Sequence, residues 1–328
     1  MKAPGFWYKG GLLSHLLAPL SPLWAKAGQR RQAAVTPYRA AVPVVCVGNL
    51  VAGGAGKTPV ALSVAEFLSG AAFLSRGYGG ELAGPVQVDP KSHDYKMVGD
   101  EPLLLAESAP CWVAKNRRAG ARAAIAGGAR ALIMDDGFQN ASLIKDLSLL
   151  VVDGPVGFGN GRCIPAGPLR EPVDQGLARA DAVVIVGEDR TGIARKVGSL
   201  PVLFATLEPE IESLSLKGEK VVAFAGIGRP EKFFESLEGL GAVIVGGYGF
   251  PDHHPYHPTE VSELIAEAER QEAALITTTK DYVRLPPHLR GQVGVLRVSV
   301  TWADEAALLR VLDPVLQRLA IAPAGVTG

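Results

Sequence analysis

Residues 44–59 read Val-Val-Cys-Val-Gly-Asn-Leu-Val-Ala-Gly-Gly-Ala-Gly-Lys-Thr-Pro, and the rest of the fold can be read outward from them. Val44, Val45 and Val47 make a short apolar run, and residues 60–68 continue with helical spacing. A strand, a glycine-rich turn, then lysine and threonine opening a helix is the build of a nucleotide phosphate cradle. Gly53, Gly54 and Gly56 let the backbone curl until successive N–H groups converge on one anion. The helix N-terminus adds unpaired donors and the positive end of its dipole. Lys57 brings a mobile charge for the outer phosphates, and the Thr58 hydroxyl suits Mg²⁺. The loop departs from the usual pattern at Val51, where glycine is normal, so its flexibility lies closer to the lysine. A plain strand-to-helix turn with a solvated Lys57 would leave the flanking runs unexplained.

Downstream, residues 72–75, 111–114, 131–134, 147–152 and 182–186 read as apolar strands, with helical stretches at 103–106 and 115–126. Apolar strands alternating with helices predict a mostly parallel sheet covered on both faces, an α/β fold. Ligands of such sheets bind outside the carboxyl ends of the strands. Asn49, Ser75, Asp135 and Asp153 all follow strands there. A turn-rich stretch at 208–218 reads as a linker, after which the pattern restarts. Strands at 221–225, 242–245, 274–277 and 293–300 alternate with helices ending at 237, spanning 258–270 and closing the chain at 303–319. The expected organisation is an N-terminal segment 1–30, a P-loop domain 31–208 and a smaller α/β domain 218–328. The turn Gly226-Ile227-Gly228-Arg229-Pro230 reads as an ordinary strand-to-helix connection.

The 328 residues suit about two domains. Hydrophobic residues at 48% and charged residues at 20% allow sizeable cores, and a net charge of zero offers no global field for nucleic acid. Cys46, Cys111 and Cys163 are scattered, which fits neither a zinc spacing nor a disulfide framework and points to buried thiols in a reducing compartment.

The N-terminus crowds Phe6, Trp7, Tyr8, Leu12, Leu13, Leu16, Leu17, Leu20, Leu23 and Trp24 into one short segment that Lys2 and Lys9 precede or interrupt and Lys26, Arg30 and Arg31 follow. Pro19 and Pro22 interrupt it, and it is too short for the ~20 apolar residues of a membrane span. No small-residue cleavage site marks it as a removable signal peptide. Aromatics beside basic residues suit a helix lying on an anionic membrane face; the alternative is a helix packed on the protein body.

Several side chains carry candidate chemistry. Asp135 and Asp136 end a core strand where a carboxylate can hold Mg²⁺ or its waters; a helix cap or solvated pair is the plainer reading. Gln139 could reach the same ion through its amide oxygen, or be an ordinary loop amide. Asp100 precedes an apolar helix, as an N-cap would, or serves as a general base for a hydroxyl nucleophile. His253, His254 and His257 share one loop and are open to three readings: surface groups, a catalytic or orienting histidine, or zinc. Arg170, in the rigid Gly167-Pro168-Leu169-Arg170-Glu171-Pro172 loop, could grip a phosphate or form a surface salt bridge, and Arg117 and Arg118 share that ambiguity.

Taken together and in order, Gly48-Asn49 with 53–59, Ser75-Arg76-Gly77-Tyr78-Gly79, Gly99-Asp100-Glu101-Pro102, Asp135-Asp136-Gly137-Phe138-Gln139, 167–171 and Asp252-His253 resemble the tetraacyldisaccharide 4′-kinase family, which makes lipid A in Gram-negative envelopes. The resemblance implies two α/β/α domains joined by a short ribbon, with the active site between them. It implies ATP on Val51, Ala52, Gly53, Gly54, Ala55, Gly56, Lys57 and Thr58, and Mg²⁺ on Thr58 and Gln139 with Asp135 and Asp136 nearby. It implies Asp100 as base on a sugar 4′-hydroxyl, His253 orienting it, and Arg118, Arg170 and Glu171 placing substrate or nucleotide. The implied partners are a lipid A disaccharide precursor and the cytoplasmic face of the inner membrane, with neither nucleic acid nor an obligate protein partner. Two rivals remain at this level. One is a P-loop ATPase switch of the partitioning or metal-delivery type, whose loop also carries Gly-Gly-x-Gly-Lys-Thr but normally has lysine where this chain has Ala52. The other is a nucleotide-regulated membrane scaffold, favoured by the N-terminus alone.

Overall fold

The structure, a computed structural model, describes residues 4–210 and 216–321. Its first body is built on strands β1 (Val44–Gly48), β2 (Ala71–Ser75), β3 (Val86–Gln87), β4 (Cys111–Val113), β5 (Ala131–Asp135), β6 (Leu147–Asp153), β7 (Ala182–Val186) and β8 (Val202–Pro209). They lie in the order β8-β7-β6-β1-β5-β2-β4-β3, parallel except where the two-residue β3 runs against β4. The central strand β1 is buried throughout, which is why it reads as an unbroken apolar run rather than an alternating one. Val45 and Val47 face one layer, with the helices Lys57–Glu66 and Glu305–Ile321; Val44 and Cys46 face the other, with Ala121 and Ala124 of the helix Arg117–Ala126.

Register then decides which residues meet. Val47 of β1 lies opposite Asp135 of β5, so the strand that launches the glycine-rich loop stands beside the strand that ends in carboxylates. Gly48 is required by close approach, because a Cβ there would come within 2.6 Å of the Phe138 Cβ.

The second body is a four-stranded parallel sheet of β9 (Lys220–Ala225), β10 (Val243–Gly249), β11 (Ala274–Thr278) and β12 (Gly294–Leu296), in the order β10-β9-β11-β12. The helices Pro230–Gly239 and Pro258–Arg270 pack on its opposite faces.

Three sequence expectations meet a different arrangement. The strand expected at 293–300 is two strands on different sheets: β12 pairs with β11, whereas β13 (Val298–Trp302) runs antiparallel to β8 and extends the first sheet. The terminal helix follows it, burying Leu308, Leu312 and Val315 in the first body's core. The last two elements thus belong with residues 31–208 and not with the second unit. Periodicity reveals that a strand exists, not which sheet edge it joins. Strand β8, half-buried between β7 and β13, has no counterpart in the sequence reading although it opens on the apolar run 202–205. The expected 208–218 linker overlaps the end of β8, and its residues 211–215 lie outside the described ones, as does Lys2 of the N-terminal segment.

That segment forms short helices at Phe6–Lys9, Leu12–Leu17 and Ser21–Ala33. One flank is tied to the body: the Trp7 indole donates to the Pro165 carbonyl at 3.0 Å, Ser14 to Ala166 at 2.7 Å and Ser21 to Cys163 at 2.6 Å. The other flank leaves Leu12, Leu13, Leu16, Leu20 and Leu23 open, Leu12 at 77%. Among the described residues no helix is long and apolar enough to cross a membrane.

Leu312→Ala tests the return of the chain to the first sheet. It should cost about 2–5 kcal/mol in denaturant unfolding of that body, as buried Leu-to-Ala changes do. A cost below about 1 kcal/mol would mark the helix as a peripheral attachment.

Candidate active site

The loop after β1 is held open from its flank. The Ala52 amide donates to the Pro168 carbonyl at 2.8 Å and the Arg170 amide to the Leu50 carbonyl at 2.7 Å, with Val51 bridging Leu169. Gly56 caps the helix Lys57–Glu66 with φ +81°, a left-handed conformation that favours glycine, and no side chain caps that terminus. Space around Gly53 and Gly54 is clear. Lys57 Nζ folds back to the Gly53 carbonyl at 3.4 Å and lies 3.8 Å from Asp136 Oδ1.

Behind the loop, Thr58 Oγ1 donates to Asp135 Oδ2 at 3.1 Å, while Asp135 Oδ1 is buried without a partner. Burial pushes the Asp135 carboxyl up to about 6. Burial acts on Asp136 in the same sense, but Lys57 and Arg170 outweigh it and hold that carboxyl below its usual range. Arg170 donates to Asp136 Oδ1 at 2.7 Å and to Gln139 Oε1 at 3.2 Å. Gln139 Nε2 donates to the Asn49 carbonyl at 2.8 Å and to Glu171 Oε1 at 3.0 Å, and Glu171 is paired with Arg179 at 2.6 Å.

A hard divalent cation fits Thr58 and Asp135: a hydroxyl beside a buried carboxylate oxygen with no partner is the donor set it wants. The Gln139 oxygen, by contrast, is engaged by Arg170.

Across the cleft, Asp100 opens the helix Asp100–Ser108, directly after Gly99 at φ +92°. It is 3% exposed, and its Oδ1 accepts from the Glu101 amide at 3.1 Å. The helix shows no side-chain cap, so the N-cap reading of Asp100 is not what the structure adopts. Its Oδ2 instead faces the second body, 2.9 Å from His253 Nδ1 and 3.4 Å from Arg284 Nε. His253 sits at φ +59°, a backbone strain on the order of 1–3 kcal/mol for a non-glycine residue. The adjacent histidine is turned away: His254 pairs with Glu260 at 3.1 Å and stacks on Phe250.

Burial would raise the Asp100 carboxyl, but hydrogen bonds with His253 and Glu101 and the charge of Lys280 hold it well below the usual range. The neighbouring Glu101 goes the other way, burial pushing it up to about 7 against the pull of Lys280. The two carboxylates thus differ strongly in basicity although they adjoin in sequence.

Both clusters line one cleft of about 1980 Å³ between the bodies. Asp153, at the end of β6, pairs there with Arg229 and with Lys232 at 2.9 Å, so the turn at 226–230 is more than a connection. A Cβ on Gly228 would sit 3.6 Å from the Gly54 nitrogen, which brings this turn against the phosphate-type loop. Buried atoms without hydrogen-bond partners gather in the cleft: Asp135 Oδ1, Asp153 Oδ1, Asp252 Oδ1 and Arg117 Nε. Clustered orphans of this kind mark a place where something else binds.

One arginine assignment is corrected. Arg118 is exposed and lies over the Tyr38 ring at 5.1 Å, outside the cleft lining; the buried Arg117 lines it instead. Asn116 caps the helix through the Ala119 amide, and consecutive helical residues then diverge by about 100°. Sequence reasoning also passed over Lys280, Arg284 and Lys232. Lys280 lies two residues past the end of β11, and the strand-end rule used for the first sheet would have pointed to it.

Residues 13–317 match the family described as tetraacyldisaccharide-1-P 4′-kinase. The tetraacyldisaccharide 4′-kinase of Paramagnetospirillum magneticum is 55% identical over 319 residues, covering 95% of this chain and 98% of that one. That of Rhodospirillum centenum is 55% identical over 327 residues, covering 96% and 97%. Among solved structures, LpxK from Aquifex aeolicus in complex with ATP superposes with a TM-score of 0.74 at 26% identity, covering 93% of this chain and 99% of that one. With the phosphate-type loop, the strand-end carboxylates and His253 lining one cleft, and Asp100 buried against His253, the chain belongs to the tetraacyldisaccharide-1-P 4′-kinase family of enzymes.

Proposed function

We propose that the chain transfers the γ-phosphate of ATP to the 4′-hydroxyl of a tetraacyl disaccharide 1-phosphate, at the cytoplasmic face of the inner membrane. The observation that carries the reading is the 2.9 Å contact of Asp100 with His253, which lines the same cleft as the loop Ala52–Thr58. Residues 31–208 with the returning 298–321 form the phosphate-holding body, and 218–296 the closing one.

In this reading the amides of 53–57 and the helix N-terminus receive the β- and γ-phosphates, with Lys57 swinging from the Gly53 carbonyl onto them. Thr58 and Asp135 would hold Mg²⁺, with Asp136 and Gln139 beside them; the ion supplies charge neutralisation on the phosphate oxygens. Arg170 and Glu171 place the nucleotide-side loop, and Arg117 takes the role the resemblance gave to Arg118. The acceptor oxygen forms a bond to the γ-phosphorus, the bond to the ADP oxygen breaks, and the hydroxyl proton passes to Asp100. A carboxylate held at low basicity takes that proton late, once the forming P–O bond has acidified the hydroxyl, which suits a loose transition state. Sharing the site between two bodies delays its completion until they meet, and so limits loss of ATP to water. The open leucine flank of the N-terminal helices would rest on the membrane that carries the lipid.

The switch reading loses ground, since the family matches are kinases. Incubation with labelled ATP and the disaccharide precursor decides between them: phosphorylated lipid supports the kinase, and slow ATP loss without lipid product supports the switch.

Asp100→Ala should lower kcat by about 10²–10⁴-fold while leaving the KM for ATP within about threefold. A variant that merely melts earlier, with folded enzyme turning over normally, would return Asp100 to a structural role.

Asp135 generates a stability prediction. Its carboxyl titrates near 6 folded and near 3.8 unfolded, so ionisation favours the unfolded chain. The resulting loss of stability grows as pH rises between those values and persists above them. Asp135→Asn keeps an acceptor for Thr58 and should therefore stabilise the metal-free protein by on the order of 3 kcal/mol near neutrality. The gain should vanish towards pH 4 while Mg²⁺-dependent activity is lost; melts in chelator that show the variant less stable near neutrality would refute it.

Replacing Leu12, Leu16 and Leu23 together with Gln leaves the anchors Trp7, Ser14 and Ser21 intact. It should weaken sedimentation with anionic phospholipid vesicles by at least about 100-fold. Unchanged binding would place the membrane contact elsewhere.

A further inference from the structure

The cleft contains a half-buried cation, Lys280, that stands outside the phosphate loop and against the Asp100–His253 pair. Lys280 stands in the short helix Thr279–Tyr282 directly after β11. Its Nζ lies 2.8 Å from Glu101 Oε1, 3.2 Å from His253 Nε2, 3.7 Å from Asp252 Oδ1 and 4.0 Å from Asp100 Oδ2. The groups around it come from four elements. Asp100 and Glu101 belong to the first turn of the helix Asp100–Ser108, and Asp252 and His253 to the loop after β10. Arg284 reaches Asp100 Oδ2 with Nε at 3.4 Å while its NH2 is bound to Asp281 at 2.9 Å, and the Tyr78 ring lies 5.5 Å from the imidazole. Ligand-type atoms of Asp100, Glu101 and His253 lie within 4.8 Å of one another, as around a metal ion, and the ammonium stands where such an ion would be held.

A lysine ammonium has three donors and no acceptor, so an imidazole nitrogen 3.2 Å from it must accept. That puts the ring proton on Nδ1, the nitrogen facing Asp100 Oδ2 at 2.9 Å. We propose that Lys280 is a positioning residue for the phosphoryl transfer proposed above: it donates into His253 Nε2 while anchored on Glu101, holds the imidazole as the neutral Nδ1–H tautomer, and thereby keeps Asp100 an ionised and correctly turned base. Two influences compete for the ring. The hydrogen bond to Asp100 prevails and draws His253 above its usual range, while burial and the Lys280 charge limit the rise. The same charge is among the influences that hold Asp100 low against its burial. Without Lys280 both groups would titrate at higher pH, and the histidine would be free to carry a proton on Nε2. Lys280 also makes base formation depend on the meeting of the two bodies, since it comes from one and Asp100 and Glu101 from the other.

The inference rests on the kinase reading, and its test separates the two. Full-length protein, Lys280→Met and Lys280→Arg are assayed with ATP and disaccharide lipid across pH, and His253 is observed by ¹⁵N NMR, assigned through its loss in His253→Gln. In the wild type near neutrality His253 should show Nδ1 protonated and Nε2 bare. Lys280→Met should drop kcat by about 10–100-fold with the KM for ATP little changed, move the acid limb of the kcat profile up by about one pH unit, and protonate Nε2. Lys280→Arg should return the acid limb towards its wild-type position. An acid limb unmoved in Lys280→Met, or a protonated Nε2 in the wild type, overturns the proposal; the second needs no variant to fold. A wild type that yields no phosphorylated lipid refutes the kinase reading instead, and the NMR signature still decides the tautomer.

Discussion

Parallel pairing of β1 with β5 and β6 is the constraint on which the site depends. Parallel strands with crossovers on both faces must all end at one rim, because each connection returns to the same starting side. The glycine-rich loop, Ser75, Asp135 and Asp153 therefore converge although they lie up to about a hundred residues apart in the chain. The apolar run of β1 secures that arrangement, since a strand buried on both faces has no low-cost alternative position. Gly48 and Phe138 then interlock, so that the loop after β1 and the acidic loop after β5 are packed on each other.

The second constraint is electrostatic and lies between the bodies. Asp100 and Glu101 meet Lys280, Arg284 and His253 at one point, and Asp153 meets Arg229 and Lys232 at another. At both points carboxylates of the first body meet lysine and arginine of the second. Buried charges of one sign are costly alone, so each body stabilises the ionised state of the other. The chain as a whole is neutral, and this segregation is invisible in its net charge.

Legibility followed physical range. The phosphate-type loop, the α/β class and the strand-end carboxylates were readable because each depends on local periodicity and turn chemistry. Of the two adjacent histidines it is His253 that contacts Asp100, a distinction that sequence could only pose: the φ of +59° that swings one ring to Asp100 and its neighbour to Glu260 is imposed by packing. Arg117 and Arg118 were indistinguishable as adjacent letters, and the cap at Asn116 separates them by setting the helical phase. The placement of β13 and the last helix on the first sheet escaped notice because half-buried edge strands look alike wherever they dock.

By itself, then, the order of residues determined a glycine-rich anion cradle at the end of a buried strand, the alternation that builds covered parallel sheets, and a short interrupted apolar N-terminus. Those properties are written within a few residues of chain, in steric freedom at glycine and in hydrophobic spacing. Tertiary structure alone decided that Asp100 points at His253 instead of capping its helix, that Lys280 stands among Asp100, Glu101 and His253, and that the helix Glu305–Ile321 closes the first body. These depend on groups more than a hundred residues apart reaching hydrogen-bonding or packing distance, and chain distance carries no information about that.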